Sequence, residues 1–134
     1  MERIVVGYDG SEHARKALAR AAEIANGATL AVVSAANVRG FLGGAVSPVD
    51  PADIEARTQA LAEARQYIES HDVKADFIEG TGNPGDVLVQ EAEETKADLI
   101  IVGTRGQNAA RRVALGSVST NVVHHAPCDV LIVR

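Results

Sequence analysis

Aromatic side chains are scarce in this chain: two Phe, two Tyr and no Trp in 134 residues. That argues against a base-stacking surface and against a ligand barrel; the apolar fraction is mostly Ala and Val, which suits helices packed closely on a sheet. Cysteine occurs once. No internal disulfide can form, and a reducing, cytoplasmic compartment is expected. Positive charge is in deficit, with thirteen Lys and Arg against eighteen Asp and Glu for a formal charge of −5, which speaks against a general nucleic-acid binder. No apolar run reaches membrane-spanning length, and the opening MERIVVGYDGS has neither an apolar signal core nor a cleavage site. The expectation is a soluble cytoplasmic domain with no membrane partner.

What is present is an alternation of two periods. The length fits one domain, 1–134, able to bury a sizeable core, and the mean hydropathy of +0.02 suits a globular chain. RIVVGY (3–8) reads as a buried strand. Ala14, Ala17, Leu18, Ala21 and Ala25 then recur at helical spacing until Asn26-Gly27 stops the helix. TLAVVSAA (29–36) is a second strand, and the Gly-rich NVRGFLGGAVSPVD has neither period. Pro51 opens a long helix with Ile54, Leu61, Ala64 and Ile68 on one face. VKADFIEG (73–80) is strand three, GNPGDVLVQEAEETK (82–96) a helix, DLIIVG (98–103) strand four, 117–126 the last helix, and CDVLIVR (128–134) a closing strand. Five strands alternating with four helices predict a doubly wound α/β fold with a parallel sheet and right-handed connections. Strand three alternates apolar Val73, Ala75 and Phe77 with Lys74, Asp76 and Glu79, which places it at an edge. Strand five is too apolar for an exposed edge; if it is one, a second subunit is expected to cover it by a two-fold dimer.

The stretch GTRGQNAARRVALGSVS (103–119) follows strand four and opens the last helix. Ligands of open α/β sheets bind beyond the carboxyl ends of the strands. Glycines let backbone amides approach an anion, and a helix N-terminus adds unpaired N–H groups and partial positive charge. Ser117 and Ser119 add hydroxyls, and Arg105, Arg111 and Arg112 add charge. Leu115 precedes the Gly-Ser pair, so this is not a Walker loop. A surface segment closed by a serine N-cap would give the same letters.

Gly103-x2-Gly106-x9-Gly116-Ser117 after DLIIVG resembles the nucleotide motif of the universal stress protein family. IVVGYDGSEHARKAL, GNPGDVLVQEAEETKADLIIVGTRG and LGSVSTNVVHHAPCDVLIVR extend the resemblance over almost the whole chain. It implies a strand order 3-2-1-4-5, a homodimer through strand five (130–133), and the family's ATP-binding branch. It also implies Gly7 and Asp9 at the end of strand one, with Asp9 near adenine or ribose, and Ala35 on the adenine side where valine is common. Val102 and Gly103 would flank the ribose, and Gly106, Gly116, Ser117, Val118 and Ser119 would meet the phosphates. ATP with Mg²⁺ is the implied ligand, with ADP or AMP as alternatives.

Other features have simpler readings. Asp9-Gly10-Ser11-Glu12 has the letters of a capping box with Asp9 as cap. GTGNPG (80–85) spells a dinucleotide fingerprint, but it follows an expected edge strand and Pro84 lacks the amide a pyrophosphate needs, so it reads as a turn. Neighbouring His124 and His125 diverge by about 100° on a helix and suit its C-terminus better than a metal. Cys128 reads as core, the acidic Glu91, Glu93 and Glu94 as a solvated face, and Gly40–Gly44 as a flexible connection or a cover for the nucleotide. No base or nucleophile is tied to the glycine stretch, so no catalytic residue is assigned. A nucleotide-dependent regulatory dimer with an unknown protein partner is the favoured reading. Weak ATPase or phosphotransfer activity, a nucleotide-free partner-binding protein and, less favoured, a flavodoxin-type protein are the alternatives.

Overall fold

The computed structural model describes residues 1–37, 41–42, 45–46, 49–105 and 115–134. Its elements are β1 (Arg3–Gly7), α1 (Glu12–Ile24), β2 (Thr29–Ala36), β3 (Phe41–Leu42), β4 (Ala45–Val46), α2 (Pro51–Glu69), β5 (Ala75–Thr81), α3 (Pro84–Thr95), β6 (Leu99–Gly103), α4 (Ser117–His125) and β7 (Asp129–Val133). The main sheet is parallel, in the order β5-β2-β1-β6-β7, with Val5 of β1 opposite both Ala31 and Ile100. This is the expected order, with the alternating strand, β5, at one edge. The two-residue strands β3 and β4 form a separate antiparallel pair that the sequence periods did not foretell.

Successive side chains of the central strands feed two cores, because strand period two sends them to opposite faces. Ile4, Val6, Leu30, Val32 and Ile101 pack with α1 and α2, while Val5, Ala31, Val33, Ile100 and Val102 pack with α3 and α4. The helices meet the sheet through small residues. Ala14, Ala17, Ala21 and Ala64 are buried, and that explains an apolar fraction poor in rings. Expected core positions of α1 hold throughout, and Asn26 (φ 44°) and Gly27 (φ 90°) end it in the left-handed region.

In α2 the expected face holds for Leu61, Ala64 and Ile68 but fails for Ile54, which is 40% exposed. Burial in α2 starts only at Ala60, because its first turns run past the sheet and border the open end. Three helices begin on side-chain caps: Ser11 Oγ accepts from Ala14 N (3.2 Å), Asp50 Oδ1 from Ala52 N (2.8 Å) and Asn83 Oδ1 from Asp86 N (3.2 Å). The capping-box expectation for Asp9 is therefore corrected. The cap is Ser11, and Asp9 instead accepts from Ser11 N (2.9 Å), turning the chain between β1 and α1.

At the far edge, β7 has Val130, Leu131 and Ile132 only half-buried, and Val123 on α4 is 49% exposed. Among the described residues no helix is long and apolar enough to cross a membrane.

The alanine packing generates a test. Ala21→Leu, at a position with no exposed surface, should cost about 1–3 kcal/mol by overpacking. Ala52→Leu in the exposed first turn of α2 should stay within about 0.5 kcal/mol, both read from urea unfolding midpoints.

Candidate functional site

The carboxyl ends of β1, β2 and β6 open into a cleft of about 540 Å³. Gly7, Asp9, Ala35, Val102, Gly103, Arg105, Gly116, Ser117, Val118 and Ser119 all line it. Ten of the expected residues are thus brought together from four separate segments. Gly106 lies outside the described residues, as do Arg111, Arg112 and most of Gly40–Gly44.

The first turn of α4 forms one wall. Its N-cap is Gly116, in extended conformation, and no side chain caps the helix. The serine-cap alternative is corrected by that geometry: Ser117 is already the first helical residue. Ser119, buried, turns its hydroxyl away from capping and shares its single O–H between Thr104 O and Gly116 O, each at 3.0 Å. Of the four helices above, α4 is the one whose N-cap residue makes no side-chain cap bond among the described residues. Such a terminus carries partial positive charge and orphan donors, and it borders the cleft beside Arg105.

Gly103 has a packing role besides its place in the cleft. A Cβ there would stand 2.7 Å from His13 Cβ and 2.8 Å from the His13 carbonyl group, so its absence lets α1 close onto the end of β6. Thr104, next along, is 5% exposed and exchanges a hydrogen bond with His13 Nδ1 at 3.2 Å. Neither residue was singled out from the sequence. A hydroxyl buried among backbone partners from distant segments leaves no periodic signal.

The other end of the cleft is bordered by Asn37, Asp53, Ala56 and Arg57. Arg57 ties α2 to the end of β5, donating to Gly80 O (2.8 Å) and Thr81 Oγ1 (3.1 Å) and pairing with Glu79 at 3.4 Å. Its side chain is only 12% exposed, unusual for an arginine, and it too was missed. GTGNPG is a turn in the structure: Asn83 caps α3, and Gly85 admits Asn121 of α4, whose Nδ2 bonds Asn83 Oδ1 (3.2 Å) and Asp86 Oδ1 (2.9 Å). His124 and His125 sit in the last turn of α4, where His125 Nδ1 meets Asn121 O at 2.9 Å. Cys128 packs against the α3–α4 core, and burial pushes its thiol pKa up.

Tyr8, which continues β1 into the cleft, donates its hydroxyl to Glu63 of α2. Arg15 of α1 pairs with the same carboxylate at 2.7 Å. Arg15 foremost, and then the Tyr8 hydroxyl, hold the Glu63 carboxyl below its usual range; burial, reinforced by Glu63, pushes the Tyr8 phenol up. The triad joins the two helices on one side of the cleft. A second hollow, about 650 Å³, lies at the opposite end of the sheet near Asn26, Lys74 and Phe77. It lacks the convergence of strand ends and helix start seen in the cleft.

Comparison with known proteins gives concordant results. The universal stress protein family matches residues 1–134. A universal stress protein of Thermus aquaticus is 39% identical over 139 residues, covering 98% of this chain and 97% of that protein. Among solved structures, universal stress protein UspA from Lactobacillus plantarum superposes with a TM-score of 0.81 at 28% identity, covering 99% of this chain and 97% of that one. A universal stress protein in complex with cAMP has a TM-score of 0.74 at 34% identity, covering 99% and 96%.

The triad beside the cleft predicts an acid limb in stability. A carboxylate with a depressed folded pKa contributes above its ordinary range and loses that contribution as pH falls through the folded value. Glu63→Gln should therefore flatten the decline in urea midpoint between about pH 5 and pH 3 relative to the parent chain. Parallel pH profiles would contradict it.

Proposed function

This chain belongs to the universal stress protein family of stress-response proteins, and we propose that it binds an adenine nucleotide, ATP foremost, in the cleft above β1 and β6. The observation that carries the proposal is the N-terminus of α4, open to the cleft without a side-chain cap. A phosphate chain offers acceptors to the leading amides of such a helix start, and Arg105 and the Ser117 hydroxyl line the same cleft. The base and sugar then run toward Val102, Gly7, Asp9 and Ala35. Ala35 is half-buried and short, so adenine rests there on backbone as much as on side chain. Asp9 is exposed at the rim of β1, and its carboxylate, an acceptor, suits sugar hydroxyls and not phosphate. Mg²⁺ fits as an ion carried by the phosphates: the Ser117 hydroxyl is the neutral oxygen nearest in kind to what it takes, and the ion would offset phosphate charge. The complex of a 34% identical relative with cAMP supports an adenine ligand and makes a monophosphate the second reading.

Binding, with occupancy biasing a partner surface, is preferred to turnover. The carboxylates bordering the cleft are Asp9 and Asp53, and Asp9 is engaged in turning the chain into α1. The half-exposed edge strand β7 is proposed as the seam of a homodimer, through residues 130–133. Two antiparallel copies would satisfy its open backbone edge and cover Val130 and Ile132.

Titration calorimetry with ATP, with and without Mg²⁺, should give saturable binding with one site per chain, and Gly116→Phe should abolish it while sedimentation shows the same oligomer. Retained binding in that variant would place the phosphates elsewhere. Tighter binding of AMP or cAMP than of ATP would favour the monophosphate reading. Independently, Val130→Lys should convert the dimer to a monomer in sedimentation velocity without lowering ATP affinity by more than about twofold, since a charge on an open edge blocks strand pairing.

A further inference from the structure

Three polar side chains are buried among the described residues, Ser34, Thr104 and Ser119, and two of them bond at one place. Thr104 spends every hydrogen-bonding group it has. Its N–H donates to Val133 O of β7 (3.0 Å), and its carbonyl accepts from Gly116 N (2.6 Å) and Ser119 Oγ (3.0 Å). Its hydroxyl is bonded to His13 of α1 (3.2 Å). One residue thus joins the ends of β6 and β7 to the starts of α4 and α1.

An apolar residue would serve packing there equally well, because burying polar groups brings little net stability even when all are satisfied. What directional bonds add is geometry. Among the described residues no side chain caps the start of α4, and the Thr104 carbonyl ties it to the end of β6 through Gly116 N and Ser119 Oγ. The carbonyl's own direction is set by what grips Thr104 on its other sides, the β7 carbonyl and the His13 ring. Gly103 makes the second grip available, since any Cβ there would drive α1 and His13 away.

We propose that Thr104, latched by His13, is the positioning residue that aims the leading amides of α4 at the nucleotide phosphates. The inference rests on the reading that phosphates lie at the start of α4. It assigns Thr104 no contact with the ligand: it acts through Gly116 and Ser119. It also makes His13, on a different helix and ninety-one residues away in sequence, part of the same device.

The test uses the full chain and two ligands, ATP and adenosine, which share the base and sugar and differ in the phosphates. Thr104→Val keeps shape and backbone bonds and removes only the hydroxyl. It should weaken ATP about tenfold, the size of one buried hydrogen bond, while adenosine affinity stays within about twofold. Thr104→Ser should restore ATP binding to within about twofold. His13→Ala should match Thr104→Val, and the double variant should be no weaker than either single one, because both break the same latch. Unchanged ATP affinity in Thr104→Val, or equal losses for ATP and adenosine, would overturn the proposal. A parent chain that binds neither ligand would instead sink the nucleotide reading. The latch then has its own readout: amide exchange at Gly116 should quicken about tenfold in Thr104→Val with the unfolding midpoint little changed, and unchanged exchange would overturn the latch as well.

Discussion

Both faces of the parallel sheet are covered by helices, and everything else in this molecule follows from that. The segments leading from β1 through β2 to β5 place α1 and α2 on one face, and those leading back through β6 to β7 place α3 and α4 on the other. Right-handed crossovers force that division when the chain first moves one way from β1 and then the other. With the faces closed, a ligand can reach backbone only at the strand ends. At the carboxyl end the connections leaving β1 and β6 part to opposite faces and leave a gap that neither pair of helices fills. The cleft is the consequence of strand order, and the residues in it are those that β1, β2, β6 and α4 deliver to that gap.

Within that frame, the bonds that hold the cleft open in one shape are few and polar. Tyr8, Glu63 and Arg15 tie α1 to α2, Arg57 ties α2 to the end of β5, and Thr104 ties β6 to both β7 and α4. Each joins segments far apart in sequence, so none contributes to local helix or strand formation. They act after the apolar core has set the sheet, by choosing among nearly equal ways of placing the helix starts. The Thr104 bond to β7 has a further consequence. The residue behind the proposed phosphate wall and the proposed dimer seam meet at one strand end, where Thr104 N donates to Val133 O.

The sequence revealed the elements well because their signals are local. Solid runs such as IVV and LIIV marked central strands, and the alternation across 73–77 marked the edge where β5 is found. Ile54 was misplaced because helical period shows which face is apolar, without showing where along the helix the sheet ends. Asp9 was read as a cap since Asp-x-x-Glu fits a capping box by spacing, whereas Ser11 lies nearer the helix start and takes the role. The glycine stretch was legible through its position after β6, and the cleft is lined by six of its residues together with Gly7, Asp9, Ala35 and Val102. His13, Thr104 and Arg57 were invisible. Their partners are carbonyls and hydroxyls brought together only by the folded topology, and a lone His, Thr or Arg in a helix or at a strand end carries no pattern of its own.

The most direct measurement is the response of the α4 amides themselves. In an ¹⁵N-labelled chain titrated with ATP, the amide resonances of Ser117, Val118 and Ser119 should shift saturably and further than those of any other helix start. Adenosine should leave them close to their free positions. If ATP saturates while these three amides stay in place, or if nothing in the spectrum moves, the start of α4 is not a phosphate site.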